Sequence, residues 1–78
     1  MTDLIIDLVP TACFLDVQRI LDDLEGFGWD VVANVDINGR IYVEGVPRED
    51  WFRVADFVMS RSRWVITRIS DRLGVALT

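Results

Sequence analysis

The chain has no histidine and no lysine, and its 78 residues include one cysteine and two prolines. Each shortage excludes something. Without histidine, the commonest general base and the commonest metal ligand are both missing. A Ser-His-Asp or Cys-His site therefore cannot be assembled within one chain. Cys13 has no partner for an internal disulfide, and one cysteine cannot build a zinc cluster. A free thiol fits a reducing, cytoplasmic compartment. Without lysine, every basic side chain is arginine, eight against 13 acidic side chains, for a formal net charge of -5. That balance opposes phosphate, so direct nucleic-acid binding is not expected. No apolar run is long enough to span a membrane. The first charges are Asp3 and Asp7, where a signal peptide would carry positive charge. No metal and no cofactor are expected.

What is present is enough apolar material for a core. Hydrophobic residues make up 51% of the chain, too many for a disordered acidic tail. No proline-rich linker, repeat or composition break divides the sequence, so residues 1–78 read as a single domain, near the lower size limit for one core.

The periodicities give six elements. Residues 3–9 alternate, with Leu4, Ile6 and Leu8 on one face and Asp3, Ile5 and Asp7 on the other. Pro10 ends this strand, and Thr11 can cap the helix after it. From Ala12 to Glu25, Cys13, Phe14, Val17, Ile20, Leu21 and Leu24 form one helical stripe, closed by Gly26. A second strand runs from Trp29 to Asp36, and a third from Arg40 to Glu44. Pro47 opens a second helix, whose stripe is Trp51, Phe52, Val54, Ala55, Val58 and Met59. Arg63 to Ile69 is the fourth strand. Its facing is ambiguous, because Trp64 and Ile66 compete with Val65, Thr67 and Ile69 for the inside. Ser70 to Thr78 reads either as a short additional strand or as a loose tail.

Parity fixes the hairpin between the second and third strands. A two-residue Asn38-Gly39 loop would put Val35 on the face of Tyr42 and mix apolar with polar. A three-residue loop, Ile37-Asn38-Gly39 with Gly39 left-handed, sets Val35 beside Ile41 and Ala33 beside Val43, and a five-residue loop of the same parity is the alternative.

The order β-α-β-β-α-β with right-handed crossovers predicts an α+β, ferredoxin-like sandwich: a four-stranded antiparallel sheet, in order 4-1-3-2, with two helices on one face. Its expected core includes Phe14, Val17, Leu21, Val31, Val35, Ile41, Val43, Ala55 and Val58. The other sheet face would stay open and collect Asp3, Ile5, Asp7, Asp30, Val32, Asn34, Asp36, Arg40, Tyr42 and Glu44. RNA-recognition domains of this architecture stack bases on aromatics of the first and third strands. Here the first strand has none, and Tyr42 stands alone on the third. An acylphosphatase-like enzyme would need an arginine in the loop after the first strand, and that loop has none.

These patterns lead to a non-enzymatic, acidic protein-binding module. One form is a phage- or virus-encoded inhibitor whose carboxylates imitate nucleic-acid charge. The expected partner is a basic protein or nucleic-acid-binding complex, and pairing with a second copy is open to the chain. The expected contact residues are Asp7, Asp36, Tyr42 and Glu44, with apolar spots at Ile5 and Val32. A competing site lies on the helices at Phe57, ringed by Arg53 and Arg61. Leu15 also lies outside its stripe and suits the seam between helices, while Cys13 reads as core filler. The alternative is a regulatory domain binding a small molecule.

Overall fold

The computed structural model describes residues 2–26 and 32–77. Its elements are β1 (Leu4–Leu8), α1 (Phe14–Glu25), β2 (Val32–Val35) and β3 (Ile41–Glu44), then α2 (Trp51–Ser62), entered through a 3-10 turn at Arg48–Asp50, and β4 (Ile66–Asp71). The strands form one sheet in the order β2-β3-β1-β4, with every neighbour antiparallel. This is the ferredoxin-like α+β sandwich that the element order predicts.

One sheet face supplies Leu4, Ile6, Ile41, Val43, Ile66 and Ile69 to the core, and the helices supply Ile20, Leu24, Val54, Ala55 and Val58. Both helices therefore cover the same face. Each such Val, Leu or Ile side chain removed from water contributes about 1.5–3 kcal/mol before chain entropy is counted. Of the other expected core residues, Val17 and Leu21 are partly buried against this cluster. Val31, like Trp29 and Asp30, lies outside the described residues.

Several expected burials are corrected. Phe14 is 76% exposed, because it is the first helical residue and lies on the flank of the stripe that Ile20 and Leu24 centre. Cys13 is exposed, since its extended backbone places it before the helix at the N-cap. Thr11 is consequently not the cap. Phe52 is 65% exposed, one residue and so about 100° round the helix from the half-buried Trp51. Val35 points to the helix side but is 43% exposed, because its strand is at the sheet edge. Leu15 is 75% exposed and does not fill the seam between helices.

The hairpin follows the parity argument. Val35 opposes Ile41 and Ala33 opposes Val43, and Gly39 has φ of 81°. Asp36 builds the turn. Its carbonyl accepts the Gly39 N–H at 3.1 Å, and its carboxylate Oδ1 accepts the N–H groups of Asn38 and Arg40, each at 2.9 Å. The same turn recurs at the end of the chain. Asp71 Oδ1 accepts the N–H groups of Leu73 and Val75 at 2.9 Å, and Gly74 has φ of 85°. This second turn sends the chain back along β4, where Ser70 bridges Ala76 and the Leu77 N–H donates to the Ile69 carbonyl at 2.8 Å. Residues 75–77 thus turn back beside β4 through a single bridge, without forming a fifth strand among the described residues.

β4 also resolves its own ambiguity. Asp7 opposes Arg68, but Leu8 opposes Ile66, so Thr67 is an extra residue, a bulge. Its hydroxyl donates to the Asp7 carbonyl at 3.1 Å. The extra residue switches parity, which lets Ile66 and Ile69, three apart, both face the helices.

Gly39→Val is expected to lower stability by about 1–2 kcal/mol, the cost of holding a branched residue left-handed. A Cβ at Gly39 would meet nothing within 4 Å, so the effect is conformational. Gly39→Asn should cost much less, since asparagine tolerates this region. Urea unfolding with an unchanged slope is the measurement.

Candidate functional site

The sheet face turned away from the helices brings together six of the seven expected contact residues. Ile5 and Asp7 come from β1, Val32 from β2 and Asp36 from its hairpin, and Tyr42 and Glu44 from β3. In the ladder, Ile5 stands opposite Tyr42 and Val32 opposite Glu44. Ile5, Tyr42 and Glu44 are half-buried, while Val32 is 52% exposed. Phe57 is not part of this surface, because it lies on α2 behind the sheet.

The charges on this face are more evenly matched than the sequence suggests. Asp7 is ion-paired with Arg40 at 2.5 Å. The Tyr42 side chain, and then Asp7, hold the Arg40 guanidinium above its ordinary pKa. Asp36 spends one carboxylate oxygen on its own turn, and the other lies 3.4 Å from the Tyr42 hydroxyl, which donates to it. Asp3 is drawn off the face, its carboxylate accepting the N–H groups of Gly45 at 2.8 Å and Val46 at 3.2 Å. Arg68, opposite Asp7 on β4, adds a second guanidinium, which also donates to the Gly74 carbonyl. The sequence could not place Arg68, because the bulge at Thr67 hides the parity of β4. The resulting surface has an apolar and aromatic middle with charges of both signs around it.

On the other side, α1 and α2 run antiparallel. Arg61 Nε lies 3.1 Å from both Asp23 oxygens, and its guanidinium lies 5.7 Å from the centre of the Phe57 ring. An open cleft of about 530 Å³ runs here, lined by Asp22, Asp23, Gly26, Arg53, Phe57 and Arg61. Phe57 is 41% exposed. Further along the seam, Arg19 lies 5.4 Å from the ring centre of Trp64. Trp64 is 58% exposed, and its ambiguous facing concealed this contact in the sequence.

Cys13 Sγ lies 3.3 Å from Asp16 Oδ2, so the thiol has an anion beside it where a thiolate-stabilising site would place a cation. Among the described residues, no group of three or more Cys, Asp or Glu side chains is placed to hold a metal ion. No helix among them is long and apolar enough to cross a membrane. The chain matches no family model, no curated protein and no solved structure.

The start of α1 has a definite acid response. The Cys13 N–H donates to the Asp16 carboxylate at 3.1 Å. This bond, then the Cys13 thiol, holds the Asp16 pKa below its usual 3.8, with smaller help from Trp64 and Arg19. A carboxylate with a lowered folded pKa stabilises the fold above its unfolded value, and that contribution is lost as pH falls through the folded one. Asp16→Asn should therefore be less stable than the parent at neutral pH. The gap should close as pH falls through the lowered folded pKa of Asp16, once both side chains are neutral. Thermal unfolding across this pH range measures it.

Proposed function

We propose that the protein is a non-enzymatic binding module that docks a basic protein partner on its open sheet face. The observation that carries this reading is the uncovered face itself, where Ile5, Tyr42 and Val32 gather within a rim of Asp7, Asp36 and Glu44. An aromatic anchor surrounded by polar groups is a common interface centre. The net negative field would speed encounter with a basic surface, and the apolar middle would slow dissociation. Imitation of nucleic-acid phosphates would need carboxylates free of other partners. Asp7 is ion-paired with Arg40 and Asp36 holds its turn, so the geometry favours apolar docking with electrostatic steering. The absence of histidine and the structural engagement of Asp3, Asp7, Asp16 and Asp36 support the non-catalytic part of the reading. The cleft at Phe57 is the surface that a small-molecule-binding function would use.

Affinity capture from the native host, followed by mass spectrometry, identifies the partner. Binding kinetics with that partner then test the face. Tyr42→Ala should weaken binding by about 2 kcal/mol, mostly through faster dissociation. Glu44→Lys should mainly slow association, and less so at high salt. Full binding by both variants, with loss of binding in Phe57→Ala, would move the interface to the helices.

A further inference from the structure

The two edges of the sheet are finished differently. The outer edge of β4 is covered at its end, from Ile69 to Asp71, by the chain's own return at Val75 to Leu77. The outer edge of β2 has no neighbouring strand among the described residues. Proteins usually blunt such an edge with charge, proline or a bulge. β2 reads Val-Ala-Asn-Val and has none of these.

The backbone directions along β2 can be worked out. Asp36 N–H donates across the hairpin to the Arg40 carbonyl, so Asp36 points its backbone groups toward β3. In an antiparallel ladder the pointing alternates. Asn34 therefore points toward β3 as well, while Ala33 and Val35 point their N–H and C=O groups outward. Val35 also leaves 43% of its surface uncovered, although its side chain is on the core side. The edge thus offers two outward-pointing residues, two apart, and one apolar side chain, Val35, with Ile41 on one side and 43% of its surface uncovered.

We infer that β2 is a self-pairing edge, on which a second copy of the chain adds its own β2 antiparallel, about a two-fold axis at Asn34. This register sets Ala33 opposite Val35 of the second copy, and the reverse, using all the outward N–H and C=O groups of these two residues. A two-fold axis perpendicular to the sheet keeps like faces together, so residues directly opposite must share parity, as Ala33 and Val35 do. Val35 gains an apolar neighbour on the core side, and the two Asn34 side chains meet on the open face. A second copy fits this edge because the strand is uncharged. Two chains of net charge -5 can approach there without setting carboxylates opposite one another within the paired strands. Ile37, fully exposed in the adjoining hairpin, extends the apolar margin. This interface uses the edge of the sheet, and its residues are distinct from those of the partner surface proposed for its open face.

Cross-linking and light scattering test it. Residues on the axis of such a pair have Cα atoms about 4.5 Å apart, within disulfide reach. In a Cys13→Ser background, Asn34→Cys should oxidise to a covalent dimer. Val32→Cys should cross-link at least about tenfold more slowly, because its two copies would lie about 13 Å apart along the strands. The parent should be dimeric by light scattering, and the dimer should tighten as salt rises, since the two net charges repel. Asn34→Lys, an exposed substitution, should raise the dissociation constant about tenfold or more by placing like charges face to face. Circular dichroism confirms that each variant is folded. A parent that stays monomeric as its concentration rises, or equal cross-linking at Val32 and Asn34, overturns the inference. A monomeric parent would leave the edge to a strand from a different protein.

Discussion

Burial of one sheet face under two helices is the constraint on which the rest of this molecule depends. The chain has apolar side chains for one layer: Leu4, Ile6, Ile41, Val43, Ile66 and Ile69 from the sheet, against Ile20, Leu24, Val54, Ala55 and Val58 from the helices. With that layer made, both helices are used, and no helix among the described residues packs on the opposite sheet face. A short chain buries a smaller fraction of its surface than a long one, and here the exposed apolar side chains include Val32 on the open face and Val35 at the edge, and also Phe14, Leu15, Phe52, Phe57 and Trp64 on or beside the helices.

Two aspartates hold the sheet's ends in register. Asp36 and Asp71 each occupy the first position of an Asp-x-x-Gly segment, and each accepts two backbone N–H groups through one carboxylate oxygen. The glycine supplies the positive φ and the carboxylate satisfies donors that a sharp turn would otherwise leave to water. Part of the acidic character of the chain is therefore structural. Asp3 ties Gly45 and Val46 to the first strand, and Asp16 holds the start of α1. Counting carboxylates in the sequence overstates how many remain for a partner.

What the sequence made legible follows from strict periodicity. The β2–β3 register could be deduced because only one loop parity keeps Val35, Ile41, Ala33 and Val43 on one face. The fourth strand could not be oriented, since Thr67 is a bulge and an inserted residue defeats a period-two reading. Phe14, Phe52 and Val35 were assigned to the core by pattern, yet pattern cannot tell the middle of an element from its flank, its first turn or the sheet edge. The Asp71 turn lies in the segment from Ser70 to Thr78, which the pattern leaves open between a strand and a tail. Its identity with the Asp36 turn appears once both are compared as Asp-x-x-Gly. Of the candidate site, the membership of the open face was readable from alternation. The pairing of Asp7 with Arg40 and the arrival of Arg68 depend on side-chain reach and on the bulge, which alternation does not encode.

The open face and the open edge bear on one another through symmetry. A two-fold axis perpendicular to the sheet would extend four strands to eight and leave both open faces on the same side. Two copies of the Tyr42 surface would then be presented together. A partner with two matching sites would bind the second as an intramolecular step, gaining avidity without any new contact on either face. Net charge would act in opposite directions on the two interfaces. It opposes self-pairing at β2 and favours approach of a basic partner to the face. Binding such a partner would offset some of the repulsion between the two copies, so occupancy of the face would strengthen pairing at the edge. By linkage, pairing at the edge would strengthen occupancy of the face to the same degree.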